Sequence, residues 1–158
     1  MISLRLKKFL DENKVPYETQ THRVAYTAQQ VAAEEHVPGR MMAKTVILHS
    51  KGAFAMAVLA AHRRVDLAPL RLALKDADVR LATEAEFVSL FPDSETGAMA
   101  PFGNLYGLPV YVDEMLAKDA EIVFNAGTHR ETIKIKFTDF LKLVRPQILP
   151  LASQSAAA

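Results

Sequence analysis

Residues 43–61 read "AKTVILHSKGAFAMAVLAA", two apolar runs of strand length separated by Ser-Lys-Gly. Neither run is long enough to cross a bilayer as a helix, and the Lys51-Gly52 pair is the turn chemistry that joins two antiparallel strands. Almost every residue in both arms is apolar, so the hairpin needs cover on both of its faces, as a central strand pair does. Any fold open to this chain therefore starts from a buried hairpin with layers packed above and below it.

The flanking segments supply those layers. Ser3 is placed to cap a first helix whose apolar stripe is Leu4, Leu6, Phe9 and Leu10, and "YETQTH" reads as a short strand. Thr27 and Gln30 have the capping-box spacing, which predicts a helix from Ala28 to about His36, stopped by "VPGR". Asp66 caps "LAPLRLALK", "VRLAT" is a short strand, and Thr83 with Glu86 forms a second capping box for a helix ending before Pro92. "LPVYVDE" is a strand and "MLAKD" one helical turn. "EIVFNAG" and "ETIKIKF" form a second hairpin through the turn from Gly127 to Arg130, with Ile133, Ile135 and Phe137 inward and Lys134 and Lys136 facing water. A last helix follows Thr138. The expected fold is α/β of the α+β kind: one domain over residues 1–150, with a mixed, hairpin-rich sheet surrounded by helices, and a frayed tail over 151–158.

Composition removes whole classes of function. At 158 residues with a formal charge of +1, the chain is one domain with no general basic coat, so any nucleic-acid contact is local. The absence of cysteine excludes disulfides, thiolate metal sites and a cysteine nucleophile. The amphipathic start "MISLRLKKFLDENK" lacks the apolar run of a secretion signal, so the expectation is a soluble cytoplasmic protein with no membrane partner. Histidines 22, 36, 49, 62 and 129 form no HxH or HExxH pair, and no Gly-x-Ser-x-Gly elbow, phosphate loop or dinucleotide glycine pattern is present. Neither metal nor cofactor is expected.

What remains is a loop. Residues 96–107, "TGAMAPFGNLYG", carry three glycines, a proline and rings but no charge. Gly97 permits positive φ and Pro101 stiffens the far end, so the loop can aim main-chain N–H groups at an oxyanion, or it can be an ordinary connection. Lys44, at the mouth of the first apolar strand, either reaches into a cleft or snorkels to water. His22 and His129 are polar strand and turn residues that could also face a ligand.

Taken together, "AKTVILHSKGAFAMAVLAAHRRVDLAPLRLAL", "VRLATEAEFVSLFP", "TGAMAPFGNLYGLPVYVDEML" and "EIVFNAGTHRETIKIKFTDFLKLVRP" resemble, in order, the YbaK/ProX family. That family comprises freestanding aminoacyl-tRNA deacylases and the related editing insertion of prolyl-tRNA synthetases. The resemblance runs from about His22 to Pro146 and implies a partly closed mixed sheet. It also pairs the two weak signals, since the family's hallmark lysine falls on Lys44 and its Gly-x-x-x-Pro loop on Gly97 and Pro101. The implied activity is trans-editing, the hydrolysis of the ester between a mischarged amino acid and the terminal ribose of tRNA. Lys44, Gly97 and Ala98 would be catalytic, the last two through backbone amides, with water or a substrate group as nucleophile. Met99, Pro101, Phe102, Thr27, Tyr26, His22 and His129 would bind substrate. The implied partners are the acceptor end of aminoacyl-tRNA and, further off, a synthetase. The rival expectation is a non-catalytic tRNA- or synthetase-binding module of the same fold.

Overall fold

A computed structural model describes residues 2–35 and 38–153. The apolar hairpin is its axis: β2 (Ala43–Ser50) pairs antiparallel with β3 (Ala53–Ala60) through Lys51 and Gly52, at φ 52° and 75°. Two successive positive φ values match the right-handed twist of the arms, which is why a glycine closes the turn. β3 is central. Its other edge runs parallel to β6 (Val110–Asp113), which is parallel in turn to β9 (Gln147–Leu149), while β5 (Arg80–Leu81) closes the far side of β2.

Alternation along β3 sends residues to two different cores. Met56, Val58 and Ala60 join one, whereas Ala55, Ala57 and Leu59 join the other with Leu70 and Leu151. Leu70 belongs to α3 (Leu67–Ala73), which Asp66 caps by accepting from the Ala68 N–H. The larger core lies between this sheet and a second, antiparallel one of order β1 (Glu18–Thr21), β8 (Glu131–Lys136) and β7 (Glu121–Asn125). Leu6 and Leu10 of α1 (Leu4–Glu12) and Phe137, Phe140 and Val144 of α5 (Phe137–Val144) fill it. A parallel bridge between Met42 and Val123 ties the start of β2 to β7, which partly closes the two sheets into one wall. The single-domain mixed architecture anticipated from the sequence is the one observed.

Capping chemistry sets the helix starts. Thr27 and Gln30 exchange both capping-box bonds at the head of α2 (Ala28–Glu34), as Thr83 and Glu86 do for α4 (Glu84–Phe87). Ser3 caps α1 and also donates to Asp93 Oδ2 at 2.6 Å, while the Tyr106 hydroxyl donates to Oδ1 at 2.8 Å. Burial works to raise the Asp93 pKa, but these two bonds, its own backbone N–H and the nearby Arg5 charge outweigh it and leave the group below its ordinary value. The network pins the segment that leads into the glycine loop.

Two details differ from the sequence expectation, and two further expectations fall on residues that are not described. The predicted end of α2 at His36 lies outside the described residues, as do residues 154–158 of the tail. Order, however, continues past 150: Leu151 is buried and β10 (Ala152–Ser153) pairs with β4 (Arg64–Val65). Strand pairs of two residues carry no periodicity to detect, and only the long-range partner makes them strands. The C-terminal part of the glycine loop, finally, is a 3-10 turn over Gly103–Tyr106.

Candidate active site

A cleft of about 220 Å³ opens where β2 begins. Lys44 and Thr45 of β2 form one side, Gly97 and Met99 of the loop another, Thr27 at the head of α2 a third, and Asn125 at the end of β7 completes it with two alanines, Ala28 and Ala43.

The loop wall is held by the second hairpin. Glu95 N–H donates to the Gly127 carbonyl at 2.7 Å, Gly127 N–H to the Ala98 carbonyl at 3.0 Å, and His129 N–H to Glu95 Oε1 at 3.0 Å. His129 Nε2 lies 2.9 Å from the Thr96 carbonyl, an acceptor only, so that nitrogen carries the proton. Four bonds thus fix the backbone at residues 95–98. Gly97 adopts φ +87°, a conformation open to glycine and strained for other residues.

The N–H groups of this loop differ in availability. The Ala98 N–H donates to the Glu95 carbonyl at 3.0 Å and its side chain is fully buried, so the expectation that this amide serves a substrate is corrected. Among the described residues the Gly97 N–H meets only the thioether of Met99, at 3.2 Å, a weak acceptor that a better one can replace. The Met99 N–H has no hydrogen-bond acceptor among the described residues.

Lys44 supplies charge. Its pKa is lowered first by burial and then by the neighbouring Arg64 charge, and no hydrogen bond or ion pair among the described residues holds its ammonium group. A partly desolvated cation without a carboxylate partner is a costly arrangement that a bound anion or polarised carbonyl would relieve.

Of the residues selected from sequence, the fold brings Lys44, Gly97, Met99 and Thr27 together at the cleft. His129 stands behind Gly97 rather than in the cleft: a Cβ on Gly97 would lie 3.6 Å from its Cε1, and its ring packs on exposed Tyr26 at 4.9 Å. Phe102 was expected as a pocket wall but is fully buried in the large core against Phe9, Phe124 and Phe140, since the 3-10 turn folds the loop inward. Pro101 is buried and does not line the cleft. His22 sits elsewhere: its buried side chain approaches Glu35 at 3.5 Å, and Thr132 donates to the same carboxylate. Burial raises the Glu35 pKa against the opposing Thr132 bond and His22 charge. Asn125 escaped the sequence reading. Its one visible signal was a polar residue ending the apolar run "IVF".

Comparison with known proteins gives a family and a fold. Residues 22–143 match the aminoacyl-tRNA editing domain family. Over 150 residues the chain is 26% identical to the multifunctional Ser/Thr-tRNA deacylase ProXp-y of Escherichia coli K12, covering 92% of this chain and 89% of that one, and it is equally similar to the O157:H7 protein. A solved structure of a candidate trans-editing enzyme for prolyl-tRNA synthetase superposes with a TM-score of 0.82 at 20% identity, covering 96% of this chain and 97% of the other. The hypothetical protein APE2540 gives 0.85 at 15% identity over 94% and 99%.

Proposed function

The chain belongs to the aminoacyl-tRNA editing domain family, and on that premise we propose that the cleft hydrolyses the ester of a mischarged aminoacyl-tRNA. The observation that carries the reading is convergence. An ammonium from β2 with no partner among the described residues and lightly engaged amides of a braced glycine loop line one small cleft. The deacylase activity of the Escherichia coli relative supports the same reaction class.

The chemistry follows from the groups present. A water oxygen attacks the ester carbonyl carbon, the bond from that carbon to the ribose oxygen breaks, and the proton passes to the ribose oxygen. Free amino acid and a terminal hydroxyl on the tRNA result. Negative charge gathers on the former carbonyl oxygen. The Gly97 N–H, exchanging its thioether contact for that oxygen, and the Met99 N–H receive it, and Lys44 stabilises it across the cleft. One preorganised donor of this kind lowers a barrier by ~3–4 kcal/mol. The loop carries no charge because its backbone does the work and bulkier side chains would crowd the amino acid. Arg64, close enough to influence Lys44, extends the positive field toward the phosphates of the acceptor end. A prolyl-tRNA synthetase is the further partner suggested by the structural relative, a candidate trans-editing enzyme for that synthetase.

The test is a deacylation assay over a panel of mischarged tRNAs, wild type beside Lys44→Ala. Turnover of at least one ester, lost in the variant, is expected. Tight tRNA binding with no cleavage of any ester would overturn the reaction and leave a binding module.

A further inference from the structure

The chain has six methionines and no cysteine, so its oxidisable sulfur is all thioether. One of these sulfurs stands inside the machinery described above. Met99 lines the cleft, and its Sδ lies 3.2 Å from the Gly97 nitrogen as the acceptor of that N–H. The other methionines differ in access and in place. Met42 and Met56 are fully buried in two separate cores, and Met115 is 40% exposed but does not line the cleft. Met99 keeps 4% of its surface open, and the cleft that it lines has room for a molecule little larger than water. With residues 95–98 bonded to the second hairpin, the Gly97 amide holds its place and the Met99 side chain decides which atom it meets.

We propose that Met99 is a redox modification site that shuts the reaction off: a peroxide entering the cleft converts its thioether to a sulfoxide, whose oxygen takes the Gly97 N–H in place of the substrate. The inference rests on the deacylase reading and adds its regulation. With hydrogen peroxide as oxidant the step balances. The sulfur lone pair attacks one peroxide oxygen, the O–O bond breaks, and sulfur gains an S–O bond while giving up two electrons. The second oxygen takes the proton of the first and leaves as water. Oxidation turns an apolar thioether, a weak acceptor, into a polar group whose oxygen carries negative charge, as the ester oxygen does in the reaction. Three rotatable bonds give the unbranched side chain the freedom to seat that oxygen on the amide. Reduction of the sulfoxide reverses the block.

The test exposes the full chain to hydrogen peroxide and follows three things together: sulfoxide at each methionine by peptide mass spectrometry, the Gly97 amide by NMR, and single-turnover deacylation. Cleavage should fall by ~10²–10³ on the converted fraction, the worth of one oxyanion donor, in step with Met99 and not with Met115. The Gly97 amide proton should move downfield as a stronger acceptor replaces sulfur. Met99→Leu, whatever its starting rate, should hold that rate through the same exposure, while Met115→Leu should lose activity as wild type does. Full conversion of Met99 with the amide signal or the rate unmoved would overturn the proposal. So would a Met99 that stays a thioether until Met42 and Met56 oxidise, or a Met99→Leu protein inactivated as fast as wild type. A protein that cleaves no ester before peroxide is added overturns the deacylase reading instead, and the amide signal then still decides whether the sulfoxide takes the Gly97 N–H.

Discussion

Adding one methyl group to Gly97 separates the catalytic reading from a purely structural one. Gly97 holds φ +87°, and a Cβ built there finds His129 Cε1 at 3.6 Å, an ordinary contact. Gly97→Ala therefore introduces no clash, and its whole effect is backbone strain of ~1–2 kcal/mol. For a domain of this size each kcal/mol moves Tm by ~2–4 °C, so the variant should melt ~2–8 °C lower and remain folded. The bonds from the second hairpin hold residues 95–98 too firmly for the whole loop to shift. Strain is relieved instead at the 96–97 peptide, which yields its single bond from His129 to the Thr96 carbonyl and turns, swinging the Gly97 N–H out of position. Single-turnover release of labelled amino acid should then fall by ~10²–10³. A lower Tm with a cleavage rate close to wild type would refute the assignment of that amide to the reaction.

Lys44→Met should abolish cleavage yet raise thermal stability at neutral pH. The folded pKa of Lys44 lies below its ordinary value, so the folded state holds the proton less tightly and the charge opposes folding at every pH below the folded pKa. That penalty fades as pH rises toward the unfolded value, so the stability gap between variant and wild type, followed by thermal melts, should narrow toward about pH 10. A gap that widens with pH would contradict the sign. Phe102→Ala opens a cavity among Phe9, Phe124 and Phe140 and should cost ~3–5 kcal/mol in denaturant unfolding, with the ranking of esters unchanged. A changed ranking with little loss of stability would return Phe102 to the pocket.

The sequence carried the local features well, because each has a local cause. The Lys51-Gly52 turn, the caps at Ser3, Thr27, Asp66 and Thr83, and the burial alternation of β8 all depend on residues a few positions apart. The parallel pairing of β3, β6 and β9 leaves no such mark, since its partners lie far apart in the chain. The same division runs through the site. Lys44 and Gly97 were legible as residue types, and family resemblance joined them. Which amides of the loop are free was not, for that depends on a local turn, Ala98 N–H to the Glu95 carbonyl, whose shape is held by bonds to Gly127 of another hairpin. Phe102 misled because a ring in a glycine loop fits a pocket wall and a core plug equally, and only the 3-10 turn decides. Asn125 was silent because an asparagine ending a strand is ordinary until its burial and its missing partner are seen together.

The most direct measurement is a crystal structure of the protein with an amide-linked aminoacyl adenosine, a stable copy of the ester at the acceptor end. The account predicts its carbonyl oxygen at hydrogen-bond distance from the Gly97 N–H, with the Lys44 ammonium on the facing wall. An analogue seated outside the cleft, or bound within it with the Gly97 amide still on the Met99 thioether, would contradict it.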